Sequence, residues 1–283
     1  MRGRNLLFLA FLAGSFTLYL IPLQALFRFA WGNDTFSYIP LVPLVSAYFI
    51  YENRKEVFSI SDGWHLAGIG PITFSIILYA LWASQGDRLS QPDSLAVMAL
   101  SFVSLLVGGL GLFHGIRAWK AGAFPIFFLL FMVPIPAFML DKIVYFLQVC
   151  SAEVSYLFFS LTRVPVYRDG FYFHLPGISI EVAKECSGIR SSISLFLVSL
   201  LAGHLVLREN WRKGVLTLSI VPITIVKNAV RIVTLSLLAV YVDPGILGSI
   251  AHRRGGIPIF FLALVLLGSV LWLLRRGEKE RRE

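Results

Sequence analysis

The sequence predicts an all-α polytopic membrane protein of about eight transmembrane helices, both termini cytoplasmic, with an interfacial helix and a small extracytoplasmic hairpin ahead of the helix that follows Cys186. Three observations predict it. The 283 residues are 57% hydrophobic and only 14% charged, against roughly 25% charge in a soluble domain. Several apolar runs approach or exceed the roughly 20 residues that a helix needs to cross a bilayer. The basic residues behind the net charge of +9 gather in short clusters between those runs and at the two ends, a topology signal rather than a nucleic-acid surface.

Element by element, crossings are expected at 6–27, 37–51, 64–84, 94–116, 122–140, 187–207, 215–240 and 257–274. The N-terminal "MRGRNLLFLAFLAGS" imitates a secretory signal, but its apolar stretch continues to Phe27, so it is taken as an uncleaved first span. Alternate connections carry Arg54 and Lys55; Arg117 and Lys120; and Arg208, Arg212 and Lys213. Together with Arg2, Arg4 and the basic C-terminus they mark the cytoplasmic side. The segment 141–164 is long enough to cross, yet Gln148, Ser151, Glu153 and Ser155 make it more polar than the other spans. It is placed along the outer interface as an amphipathic helix. After it, Asp169-Gly170 between alternating apolar residues is a turn signal, so 164–185 is expected to form a hairpin lid. No repeat, low-complexity tract or soluble domain stands out, and residues 1–283 are taken as one membrane domain.

The stretch "EVAKECSGIRSSISLFLVSL" places Cys186, one of two cysteines, where an apolar helix begins. From Arg208 at the inner surface, Cys186 is 22 residues distant, or roughly 33 Å along a helix, near the outer edge of a hydrocarbon layer roughly 30 Å thick. Counting up from Gly214 puts Lys227 at about 20 Å and Arg231 at about 25 Å. Ionisable groups inside a span are costly and therefore functional candidates; Lys227 and Arg231, four apart, share a face, and Asn228 is three from Arg231. His65, His114 and His204 fall at inner ends, leaving His174 and His252 on the outer side with Cys186. A helix N-terminus and nearby cations favour a thiolate, a histidine shuttles a proton, and an arginine stabilises an oxyanion. Those are the needs of acyl transfer.

At these residues the sequence resembles the exosortase/archaeosortase family of polytopic cysteine transpeptidases that process C-terminal sorting signals. The matching motifs are "ECSGIRS", "NAVRI" and "HRRGG", with weaker similarity at "YIPLVPLVSAYFIY" and "LLFMVPIP". The resemblance implies catalytic roles for Cys186, Arg231 and His252 at the extracytoplasmic face of the cytoplasmic (inner) membrane. It also implies substrate proteins that carry a short motif such as Pro-Glu-Pro, then a transmembrane helix and a basic tail.

Each of these residues also has a plainer reading. Arg190 tunes the thiol, binds an acidic substrate residue, or only anchors the interface. Ser187 and Gly188 expose backbone N–H groups to an oxyanion or merely cap a helix. Lys227 and Asn228 orient the site, and His174 stands in reserve for His252. Arg231 alternatively snorkels or pairs with Asp243, and Cys150, in an apolar run, is a packing residue. The run "GGLGLFHG" lies inside a span with no preceding strand and is read as close helix packing. No cofactor or metal is expected, because no Cys/His spacing typical of zinc occurs, and no nucleic-acid partner. The expected partners are the substrate protein and membrane lipid. The competing classes are a transporter or lipid-handling protein that binds an anion through Lys227 and Arg231, a scaffold, and a hydrolase with water as acceptor.

Overall fold

The computed structural model describes residues 2–58, 66–162, 164–243 and 256–280. The chain forms two compact units, Met1–Leu140 and Asp141–Glu283.

The first unit opens with α1 (Arg2–Leu18) and α2 (Leu20–Gly32), bent by 64° at Tyr19. The cause is Pro22, which offers no N–H to the Leu18 carbonyl and whose ring crowds it. Two short apolar helices, α3 (Leu41–Glu52) and α7 (Ala123–Leu129), pack on one another with Phe49 against Phe124, ring centroids 5.1 Å apart. Between them in sequence come α4 (Arg54–Val57), α5 (Ile69–Gln85) and α6 (Gln91–Ala121). α6 is the centre of this unit: 61% of its apolar window is buried, against 11% for the span containing α5. Its start is capped by Ser90, whose Oγ donates to Asp93 at 2.6 Å, while the other carboxylate oxygen of Asp93 accepts the Ala137 N–H at 2.8 Å.

The glycines of "GGLGLFHG" serve close packing. A Cβ on Gly108 would stand 2.9 Å from the Gly68 carbonyl, and one on Gly111 would run into the Trp119 ring. α6 breaks at Gly115, whose φ of 76° is open to glycine, and Trp119 then folds back to donate to the Val107 carbonyl at 2.9 Å.

The second unit contains most of α8 (Ala137–Leu161), followed by a three-stranded antiparallel sheet: β1 (Tyr167–Asp169), β2 (Tyr172–Leu175) and β3 (Ile178–Glu181). Gly170 (φ 58°) makes the first turn, as Asp169-Gly170 predicts, and Gly177 (φ 80°) makes a second that adds a third strand to the expected hairpin. Then come α9 (Ile189–Val206), α10 (Asn210–Leu218), α11 (Ile220–Tyr241) and α12 (Gly256–Glu280). α10 and α11 meet at Ser219, where Pro222 offers no N–H to the Leu218 carbonyl, and together they form one apolar stretch, Asn210–Tyr241. Phe173, Leu175 and Val182 bury one face of the sheet region in a cluster with Ala152, Phe159, Ile232 and Val233.

The all-α polytopic class is as expected, while the crossings differ in detail. Six described helices are long and apolar enough to cross, or up to seven if the bent α1–α2 pair is one span. The segments expected at 37–51 and 122–140 are Leu41–Glu52 and Ala123–Met132, too short to span roughly 30 Å as single helices. Prolines set those limits: Pro40 precedes α3, and Pro134 and Pro136 hold the chain non-helical beyond Met132.

The segment expected as an interfacial helix at 141–164 is α8, which is by length and apolar composition also able to cross. Of the four polar residues noted in it, Glu153 is exposed and pairs with Arg168 at 2.8 Å. Gln148, Ser151 and Ser155 are buried on the face of α8 that meets protein.

Candidate active site

The site is built on the turn that carries Cys186. β3 ends at Glu181, and Val182 is then held at both backbone groups: its N–H donates to the Phe171 carbonyl at 2.9 Å, and its carbonyl accepts from Gln148 Nε2 of α8. Lys184–Ser187 form a single 3-10 turn with Cys186 in it. Gly188 follows at φ 74°, ψ 15°, a left-handed conformation that a side chain disfavours by about 1–2 kcal/mol, and α9 begins at the next residue. The Gly188 carbonyl collects three donors, the Ser191 hydroxyl (2.9 Å), the Ser192 hydroxyl (2.7 Å) and the Ser192 N–H (3.0 Å). A nearby ion pair, Lys184 with Asp141 at 3.7 Å, is largely exposed and adds little.

Against this turn lies α11, which also packs on β3. A Cβ on Gly188 would stand 3.2 Å from both Lys227 Nζ and Asn228 Oδ1. The glycine thus suits the turn twice, for its φ and because a Cβ would press on the ends of these two side chains. Lys227 Nζ donates to the Ser191 hydroxyl, which in turn donates to the Gly188 carbonyl, and Asn228 Nδ2 donates to Ser151 Oγ of α8 at 3.0 Å. Lys227 is 5% exposed, and among the described residues no carboxylate is paired with it. A buried ammonium costs several kcal/mol unless an anion compensates it. Arg231 repeats the positive charge one helical turn further along the same face, half-buried, next to Ile232 and Val233 of the cluster under the sheet.

The predicted residues separate into those gathered here and those elsewhere. Cys186, Ser187 and Gly188 form the turn, and Lys227 and Asn228 pack on it. Ser187 is fully buried, and its hydroxyl has no hydrogen-bond partner among the described residues. Arg190, in the first turn of α9, is exposed. His174 is exposed on β2, where its Nδ1 pairs with Ser179 Oγ at 2.8 Å and its ring stacks on Tyr167 at 5.8 Å. Beside it in the sheet, Glu181 faces Tyr172, and its carboxylate raises the phenol above its ordinary value of 10.0. His252 lies outside the described residues. Cys150 is half-buried within α8 and has no disulfide partner.

Gln148, Ser151 and Ser191 are the participants that the sequence left unnoticed as site residues. Their signal was available: Gln148 and Ser151 lie three apart in an apolar helix, and a buried amide in such a helix needs a specific partner. Which partner it finds is decided by packing between segments 34 residues apart.

A family model described as transmembrane exosortase matches residues 31–269. No curated protein and no solved structure matches the chain significantly. The matched range contains the Cys186 turn, all of α11 and every residue of the polar cluster joining them, and it supports a membrane transpeptidase of sorting signals. The chain belongs to the transmembrane exosortase family, a multi-pass membrane protein of that kind.

Proposed function

We propose that this chain is a cysteine transpeptidase that cleaves the C-terminal sorting signal of anchored proteins at the extracytoplasmic face and passes the product to an acceptor. One observation carries the reading: the left-handed turn at Gly188, next to Cys186, is built around a buried ammonium that no described carboxylate neutralises. A cation so placed favours the anionic form of a neighbouring thiol. It compensates its own burial only when an anion, thiolate or oxyanion, is present.

In the proposed reaction the Cys186 thiolate attacks the scissile carbonyl carbon, and the electron pair moves to the oxygen, where Arg231 stabilises it. Collapse of that intermediate breaks the C–N bond, and His252 gives its proton to the leaving amine, so a thioester acyl-enzyme remains. An amine, a lipid head group or water then attacks the thioester carbonyl carbon and gives its proton to His252, and the C–S bond breaks to release the product and restore the thiolate. Lys227 and Asn228 position the turn. The sheet, pinned by Gln148 to α8, forms one wall beside the site. Arg190 and His174, both exposed, suit contact with the incoming substrate segment.

The test is Cys186→Ala and Cys186→Ser, scored on processing of a C-terminally anchored partner in the same membrane. Both are expected to abolish it; full processing by Cys186→Ala overturns the reading. The buried Lys227 beside Arg231 also suits a protein that carries or holds an anion within the membrane. That alternative predicts loss of function in Arg231→Gln with Cys186→Ala unaffected.

A further inference from the structure

We infer that the basic cleft at the charged ends of α9 and α12 binds the phosphodiester headgroup of a membrane phospholipid. The cleft has a volume of about 470 Å³, and its wall includes His204, Arg208, Arg275 and Glu278. Its level is set by the helices: α9 ends at Val206, and the apolar run of α12 gives way to Arg275 and Arg276. Trp211 and Trp272 are more than half exposed at this level, as is Leu205 on the cleft wall. Exposed tryptophans beside the end of an apolar helix mark the depth of lipid headgroups.

The charges decide what fits. Glu278 is already engaged by the backbone: its carboxylate accepts the N–H groups of Arg208 (3.0 Å) and Glu209 (2.8 Å). Arg212 is likewise engaged, donating to Glu209 at 2.6 Å, to the Gly277 carbonyl at 2.8 Å and to the Leu274 carbonyl. These bonds clasp the end of α12 to the loop between α9 and α10. The guanidiniums of Arg208 and Arg275 remain, both exposed and, among the described residues, without a recorded side-chain bond or ion pair. Two guanidiniums on one cleft suit the oxygens of a phosphodiester, and basic pockets between helices at this depth take lipid headgroups. A basic peptide would meet two like charges and a carboxylate whose oxygens already accept backbone amides. A lipid satisfies both halves of the surface at once, with phosphate at the arginines and acyl chains along Leu205 and Trp272.

Bound headgroup braces the clasp, so it stabilises the folded protein. Full-length protein in dodecyl maltoside is titrated with dioctanoyl phosphatidylglycerol while Tm is followed by intrinsic fluorescence. The expected result is a rise of roughly 4 °C at saturation, with most of it lost in the Arg208→Gln/Arg275→Gln variant. Dioctanoylglycerol, with the same tails and no phosphate, and inorganic phosphate are expected to shift Tm by less than a quarter as much. An equal shift with phosphate makes the ligand a soluble anion, and an equal shift with dioctanoylglycerol assigns the effect to the tails; either overturns the proposal. So does an undiminished shift in the double variant. Should that variant not fold, Arg275→Gln alone must lose about half the shift. No substrate takes part, so this outcome is independent of the transpeptidase reading.

Discussion

Each unit buries a cluster of polar side chains among apolar helices, and the two clusters differ in whether they close. In the first unit Tyr19, Ser75 and Ser101 are all but fully buried. The tyrosine hydroxyl meets Ser101 Oγ at 2.5 Å and Ser75 Oγ at 3.5 Å, and Ser101 donates to the Ser75 carbonyl at 2.8 Å. Every member is neutral, and each hydroxyl finds a neighbour. In the second unit Ser151, Asn228, Lys227, Ser191 and Gly188 form a comparable chain, but it contains an ammonium with three donors and one recorded acceptor. A closed neutral cluster holds helices together. In the proposed reading, a cluster left with surplus positive charge beside the left-handed turn at Gly188 receives an anion.

The comparison breaks first at Lys227. Lys227→Met removes the charge and keeps the volume, so processing should fall by roughly 10²–10³-fold, the usual loss when one preorganised stabilising group is deleted. Tm should hold or rise, because an apolar residue replaces a buried charge. Normal processing in this variant would make the second cluster as structural as the first.

Gly188→Ala comes next. Strain of about 1–2 kcal/mol at φ 74° and the crowding of Lys227 and Asn228 should lower both Tm and processing, the latter by at least about 10-fold. If only Tm falls, the turn does not position the nucleophile.

A smaller effect is expected across Asn228 and Ser151. Their double-mutant cycle to alanine, read as Tm, should give a coupling of roughly 0.6 kcal/mol, the average for hydrogen bonds between membrane helices. The single changes should also slow processing, since α8 braces the site through this bond. The smallest change belongs to the first unit: Tyr19→Phe should cost about 1 kcal/mol of stability and leave processing per folded molecule unchanged. A change in processing there would show that the closed cluster also serves the reaction.

Much of the candidate site was legible along the chain because its members have steep energetic signatures. A lysine, an asparagine and an arginine at i, i+1 and i+4 in an apolar helix stand out, as does a cysteine followed by Ser-Gly at a helix start. The turn at Asp169-Gly170 was legible for the same reason, since a residue with positive φ leaves a mark in composition. The role of α8 was not. Gln148 and Ser151 are as polar facing protein as facing an interface, and hydropathy averages over the helix without saying which neighbour a given face meets. The short helices α3 and α7 were hidden similarly, because an apolar run with prolines near its ends resembles a span until the backbone shows where helical geometry stops.

By itself, then, the sequence determined the membrane class, the second-unit helix that follows the proposed nucleophile and the one that carries the proposed cations, and the hairpin before them, because apolar run length, charge clustering and turn residues act locally. Only the tertiary structure decided that Lys227 reaches Ser191, that Asn228 reaches Ser151, that Gln148 pins Val182, and that Glu278 caps a loop 69 residues away. The physical reason is that a buried polar group must find a partner, and which partner it finds depends on which helices are brought side by side.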